Sequence, residues 1–111
     1  MAGPEGSCDQ VAEFLAALSH PKRLRILSVL REGPRAVTEL ARAVGLSQSA
    51  TSQHLQVLRG LGIVGVTRTG NMSYYSIADL RVLQLCRLAQ EIVSERAKLI
   101  SEAVSAVRFE P

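Results

Sequence analysis

From residue 47 the chain reads Ser-Gln-Ser-Ala-Thr-Ser-Gln-His. Gln48, Ser49, Thr51, Ser52 and Gln53 are short or medium side chains that both donate and accept hydrogen bonds, and His54 follows them. Such groups at the N-terminal end of a helix suit a DNA major groove. There Gln pairs with an adenine edge, Ser and Thr reach phosphates or several bases, and the helix N-terminus attracts phosphate. Arg59, at the far end of the same segment, is placed to meet the sugar-phosphate backbone. Arg68 and Asn71 belong to a later segment that reaches an adjacent groove. A polar helix alone describes many solvated surfaces. The order of helix, glycine turn, polar helix, glycine stop and basic hairpin is what points to duplex DNA.

The remaining reactive side chains are few. Cys8 stands beside Asp9 and near Glu13 in an acidic N-terminal arm, where it reads either as a free thiol or as a sensing group. Cys86 falls on an apolar stripe, where it reads as a small buried hydrophobe or as the partner of Cys8. Were the arm to fold along the last helix, its own or a partner's, the two thiols would bridge or share a thiophilic ion. A disulfide requires Cα atoms within about 7 Å. Asp9, Glu13 or the terminal amine would complete a site for a borderline ion such as nickel. His20 precedes Pro21 and reads as a helix cap. His54 reads as a DNA contact or a brace for its own helix. Neither histidine has both a carboxylate orienter and a nucleophile at hand, and there is no Gly-rich phosphate loop, so an enzyme is not expected.

These residues need elements to position them. Val11, Phe14, Leu15 and Leu18 share one helix face, with Asp9 as the expected cap and residues 1–8 as a flexible arm. Pro21 opens a second helix that ends at Gly33-Pro34. A third spans residues 37–44, Gly45 makes the turn, and Ser47 caps a fourth that runs to about Leu61. The helix-turn-helix therefore covers 37–61. The period then changes to two over 63–77, a hairpin around Thr69-Gly70-Asn71, in which Tyr74 and Tyr75 face opposite sides. A long helix follows over 79–107. Val82, Cys86, Ala89, Val93, Ala97, Ile100, Val104 and Val107 form one stripe, and Leu85, Leu88, Ile92 and Leu99 lie beside it. One domain over residues 9–111 results, mainly α with a small β-hairpin, a winged helix-turn-helix. That last helix has more apolar surface than a small monomer covers, which leaves a stripe for a second copy or another protein.

Composition agrees. The 111 residues are 47% hydrophobic and only 4% aromatic, without Trp, so the core is aliphatic. No apolar run approaches the roughly 18 residues that would span a bilayer. The N-terminus lacks a basic segment followed by an apolar one, and two cysteines make no disulfide framework, so a cytoplasmic protein is expected. The net charge is +3, but it is uneven. Lys22, Arg23, Arg25, Arg31, Arg35, Arg42, Arg59 and Arg68 face only Glu32 and Glu39 between residues 21 and 77, a local excess of six. A basic centre fits a polyanionic partner.

The segments LSHPKRLRILSVL at 18–30, VTELARAVGLSQSATSQHLQVLRGLGIV at 37–64 and TRTGNMSYYSI at 67–77 resemble the ArsR/SmtB family of winged helix-turn-helix repressors. The resemblance covers most of residues 9–95. It implies a homodimer built from the first and last helices, a palindromic operator, and repression relieved by a metal ion, metalloid or thiol-reactive signal. The family's two familiar metal sites are not matched. Where the family carries Cys-x-Cys this chain has Ala41 and Ala43, and along the last helix Arg81 and Ile92 replace imidazoles between Asp79 and Glu95. Carboxylates alone do not make the nitrogen or sulfur environment that zinc prefers. Two functions stand: a dimeric repressor released by an effector, with or without a bound transition metal or metalloid, or an interaction module working mainly through a protein partner.

Overall fold

A computed structural model describes residues 4–97 and 107–110. Helix α1 (Pro4–Leu18) and helix α2 (Pro21–Leu30) lead to a two-residue strand β1 (Arg35–Ala36). Helices α3 (Val37–Val44) and α4 (Gln48–Gly60), strands β2 (Val64–Thr69) and β3 (Met72–Ile77), and helix α5 (Arg81–Arg96) follow.

Helix α1 begins at Pro4, not at Asp9, so Cys8 and Asp9 are helical residues and Asp9 is not a cap. Proline at a helix start forfeits only an N–H that has no intrahelical partner there, and its fixed φ suits the first turn. His20 caps α2 as expected, its Nδ1 accepting the Lys22 amide at 3.3 Å. Gly45 takes the left-handed conformation that ends α3, with φ 71° and ψ 38°. The Leu46 amide there returns to the Ala41 carbonyl at 3.0 Å. Lys22 Nζ reaches the Val44 carbonyl at 2.7 Å, satisfying another open end of α3.

The hairpin is tighter than expected. Thr69 pairs with Met72, which leaves a two-residue turn of Gly70 and Asn71, and Gly70 takes φ +63°. β3 also pairs with β1, through Arg35 with Tyr75 and Ala36 with Tyr74, so the wing is a three-stranded antiparallel sheet in the order β1-β3-β2. Tyr75 is buried and Tyr74 half-buried, as alternation requires.

The core is aliphatic. Ile26, Leu27, Leu40, Leu55, Leu58 and Ile63 are fully enclosed, and Leu83 of α5 joins them. The last helix ends at Arg96, because Ala97 leaves helical geometry with φ −132°. Val107 is not helical. Phe109 enters the core instead, and the Arg108 amide donates to Ser28 Oγ at 3.1 Å. Burying a phenylalanine side chain is worth about 1.5–3 kcal/mol relative to leaving it in water. Leu99, Ile100 and Val104 lie outside the described residues.

Leu55 anchors α4 from its inner side. Leu55→Ala is expected to lower stability by about 2–5 kcal/mol in urea unfolding followed by far-UV circular dichroism, through lost burial plus the void left behind.

Candidate nucleic-acid interface

Ser47 starts the exposed helix. Its Oγ accepts the Ala50 amide at 3.0 Å, occupying one of the amides that a helix start leaves open. No acidic side chain lies in the first turn of α4, so nothing there competes for its positive end. Gln48, Ser49 and Gln53 are exposed, and Ser52 is half-buried. Arg59 is exposed in the last turn. Arg68 and Asn71 are exposed on the wing, where Arg68 Nη1 reaches across the hairpin to Ser73 Oγ at 3.4 Å. The exposed groups are therefore carboxamides and hydroxyls on α4, and a guanidinium and a carboxamide at the hairpin.

Two expected contacts are placed differently. Thr51 is fully buried. Its Oγ1 donates to the Ser47 carbonyl at 2.8 Å, while its amide binds the same oxygen at 3.0 Å. The 3.6-residue period carries position 51 to the side of Leu55 and Leu58, so Thr51 belongs to the core and not to the groove-facing set. His54 is half-buried and points inward. Its Nδ1 accepts Arg23 Nε at 3.1 Å, and its ring lies 4.5 Å from that of His20. Burial, then the charges of His20 and Arg23, lower its pKa from the ordinary imidazole value, which favours the neutral ring. Sequence reasoning counted Arg23 only in the basic centre and missed its contact with His54. It lies 31 residues from His54, and no local spacing links the two.

The sensing candidates do not meet in a ligand cluster. Cys8 is exposed on α1, Cys86 is buried on α5, and both thiols are free. Burial pushes the Cys86 thiol up to about 11, which keeps it protonated at neutral pH. Cys86 lines a cavity of about 520 Å³ between α1, α2 and α5, walled mainly by Leu15, Leu18, Ala89 and Val93, with Arg25 among its polar lining. Ala41 and Ala43 provide no ligand on α3. Asp79 is held by Arg81 Nη2 at 2.7 Å, and that hydrogen bond lowers its pKa to about 2. Ile92 is exposed. Among the described residues no three His, Cys, Asp or Glu side chains gather as metal ligands, so the residues present do not fit the family's usual metal sites.

A large apolar surface remains uncovered. Val11 and Leu15 of α1, and Leu85, Leu88, Ile92 and Val93 of α5, are each between 39% and 56% exposed. Such a patch on two helices marks an interaction surface.

Residues 20–66 match the model of the arsR family of bacterial regulatory proteins. The transcriptional regulator NmtR of Mycobacterium tuberculosis is 53% identical over 76 residues, 68% of this chain and 63% of that protein. A Synechocystis transcriptional repressor, an SmtB homolog, is 41% identical over 86 residues, 78% of this chain and 65% of that protein. The match thus spans less than two thirds of either relative. The homodimeric winged helix-turn-helix DNA-binding domain of Mb0332 from Mycobacterium bovis superposes with a TM-score of 0.75 at 38% identity, covering 86% of this chain and 92% of that one.

The burial of Thr51 separates two classes of substitution. Thr51→Val is expected to cost about 1 kcal/mol of stability and to leave sequence discrimination unchanged. Gln53→Ala is expected to do the reverse, keeping the unfolding midpoint and losing about 1–3 kcal/mol of discrimination at one base pair. Unfolding curves and fluorescence anisotropy on matched and mismatched duplexes measure both.

Proposed function

The chain belongs to the arsR family of bacterial regulatory proteins, and on that premise we propose that it is a homodimeric repressor that grips a palindromic operator and releases it when an effector alters the pairing of the two copies. The observation that carries this reading is the exposure of two chemically different surfaces. One is the polar face of α4, with Gln48, Ser49, Ser52 and Gln53, to which the wing adds the exposed Arg68 and Asn71. The other is the bare apolar face of α1 and α5.

A second copy on the α1–α5 face pairs two recognition helices by symmetry. Each N-terminal end then enters a major groove, and half-sites fall about 34–36 Å apart, one turn of duplex. Arg59 and Arg68 neutralise phosphates and hold the register, while the α4 side chains read base edges. The same pairing face is where an effector acts with most leverage. A small change in how the long helices pack alters the separation of the reading heads, provided the effector binds the two arrangements unequally. Cys86 borders the cavity beneath this face. A neutral, protonated thiol there makes it a packing group first, and Cys8 on the exposed side of α1 the more accessible of the two sulfurs. No helix among the described residues is long and apolar enough to cross a membrane, which suits a regulator that meets DNA in the cytoplasm.

Light scattering is expected to give twice the chain mass, and anisotropy with the chain's own promoter fragment is expected to show binding that weakens steeply with salt. Arg68→Ala should reduce the slope of log affinity against log salt by about one, as one lost phosphate contact requires. A single-chain particle that ignores the promoter at low salt would overturn the reading. Titrating the complex with Zn(II), Ni(II), As(III), peroxide and polysulfide, on the natural chain and on Cys8→Ser and Cys86→Ser, identifies the effector class. Loss of a response in either variant assigns it to that thiol, and responses intact in both exclude the thiols.

A further inference from the structure

The contact between Arg23 and His54 joins three elements. Arg23 Nε donates to His54 Nδ1 on α4 at 3.1 Å, and Arg23 Nη1 donates to the Ala17 carbonyl in the last turn of α1 at 3.3 Å. The guanidinium itself belongs to α2. It is permanently charged and has donors only, arranged in a rigid planar fork. Its partner on α4 must therefore present a lone pair, which His54 Nδ1 does only as a neutral imidazole with its proton on Nε2. Protonation would turn that acceptor into a second donor facing a cation.

We propose that Arg23 is a positioning residue for the recognition helix, holding α4 to the end of α1 through the unprotonated imidazole of His54. The proposal rests on α4 being the helix that reads DNA. Because α1 carries Val11 and Leu15 on the apolar pairing face, the same guanidinium links the helix that meets a second copy to the helix that meets the duplex.

The surroundings of His54 support a device with two states. His20 faces it from the cap of α2 with ring centroids 4.5 Å apart, and its own Nδ1 is occupied by the Lys22 amide. Arg23 is the charge that touches it. From α1, Glu13 lines the cleft that Arg23 also lines, together with Gln56 of α4. On α3 and β2 the charged groups are Glu39, Arg42 and Arg68, all exposed, and Glu39 is engaged by the Ala36 amide. No carboxylate among the described residues hydrogen-bonds His54 to favour its charged form. The second proton therefore meets Arg23 and His20, and the bond from α2 to α4 is lost.

The sign of the pH response distinguishes this role from a direct contact. A histidine that touches DNA gains affinity when it becomes cationic, whereas a positioning histidine loses specificity. Operator and random-sequence affinities of the full chain are measured by anisotropy from about pH 8 to about pH 5.5 at constant ionic strength. Circular dichroism confirms the fold at each point. The ratio of operator to random-sequence affinity is expected to fall about tenfold on acidification. His54→Asn places a carboxamide oxygen near the Nδ1 position without a titratable proton, so it should keep the ratio at about pH 8 and flatten the profile. Arg23→Ala should lower the ratio about tenfold at pH 8 and also flatten it. If Arg23→Ala does not fold, the His54→Asn profile decides alone. A ratio that rises or stays level with acid, or a His54→Asn profile identical to the natural one, overturns the positioning role and leaves DNA binding intact. Failure of the natural chain to bind its operator at pH 8 overturns both.

Discussion

A helix that presents polar side chains to a ligand can be held only from its other side. Helix α4 meets this constraint with a narrow inner strip: Thr51, Leu55 and Leu58, each fully enclosed. Two leucines contribute about 3–6 kcal/mol of transfer free energy between them, and Thr51 adds no unsatisfied hydroxyl, because its Oγ1 donates to the Ser47 carbonyl. The outer face then needs no contribution to stability. Gln48, Ser49 and Gln53 stay exposed outside that packing, and one scaffold can carry many different sites in this way.

The same economy leaves the molecule incomplete. Helix α4 packs on α2, α3 and β2, and Leu83 of α5 belongs to the same core. Val11 and Leu15 of α1, and Leu85, Leu88, Ile92 and Val93 of α5, stay partly exposed instead. On the proposed reading a second copy covers them by symmetry, and symmetry is also what a palindrome would demand. In that reading the stability of the pair and the geometry of the reading heads would come from one surface, where an effector would have most leverage.

Local signals marked much of this in advance. Helix α3, the left-handed Gly45 and the Ser47 cap each follow from chemistry within three or four residues, and they appear where the residues call for them. Helix starts and ends without such chemistry were harder. Pro4 begins α1 earlier than Asp9 would have, and nothing in the apolar period of the last helix indicates that it stops at Arg96 or that Phe109 turns back into the core. Strand β1 has two residues, too few for any periodicity, and exists because β3 has an edge to pair.

By itself, the order of residues determined the fold class, the helix-turn-helix, the wing, and the absence of the family's usual metal ligands. These depend on side-chain type at short spacing, which a chain carries whether folded or not. The tertiary structure alone decided which polar residues of α4 face outward. It took Thr51 into the core and turned His54 toward Arg23, 31 residues away, because the direction of a side chain is set by what packs against its helix.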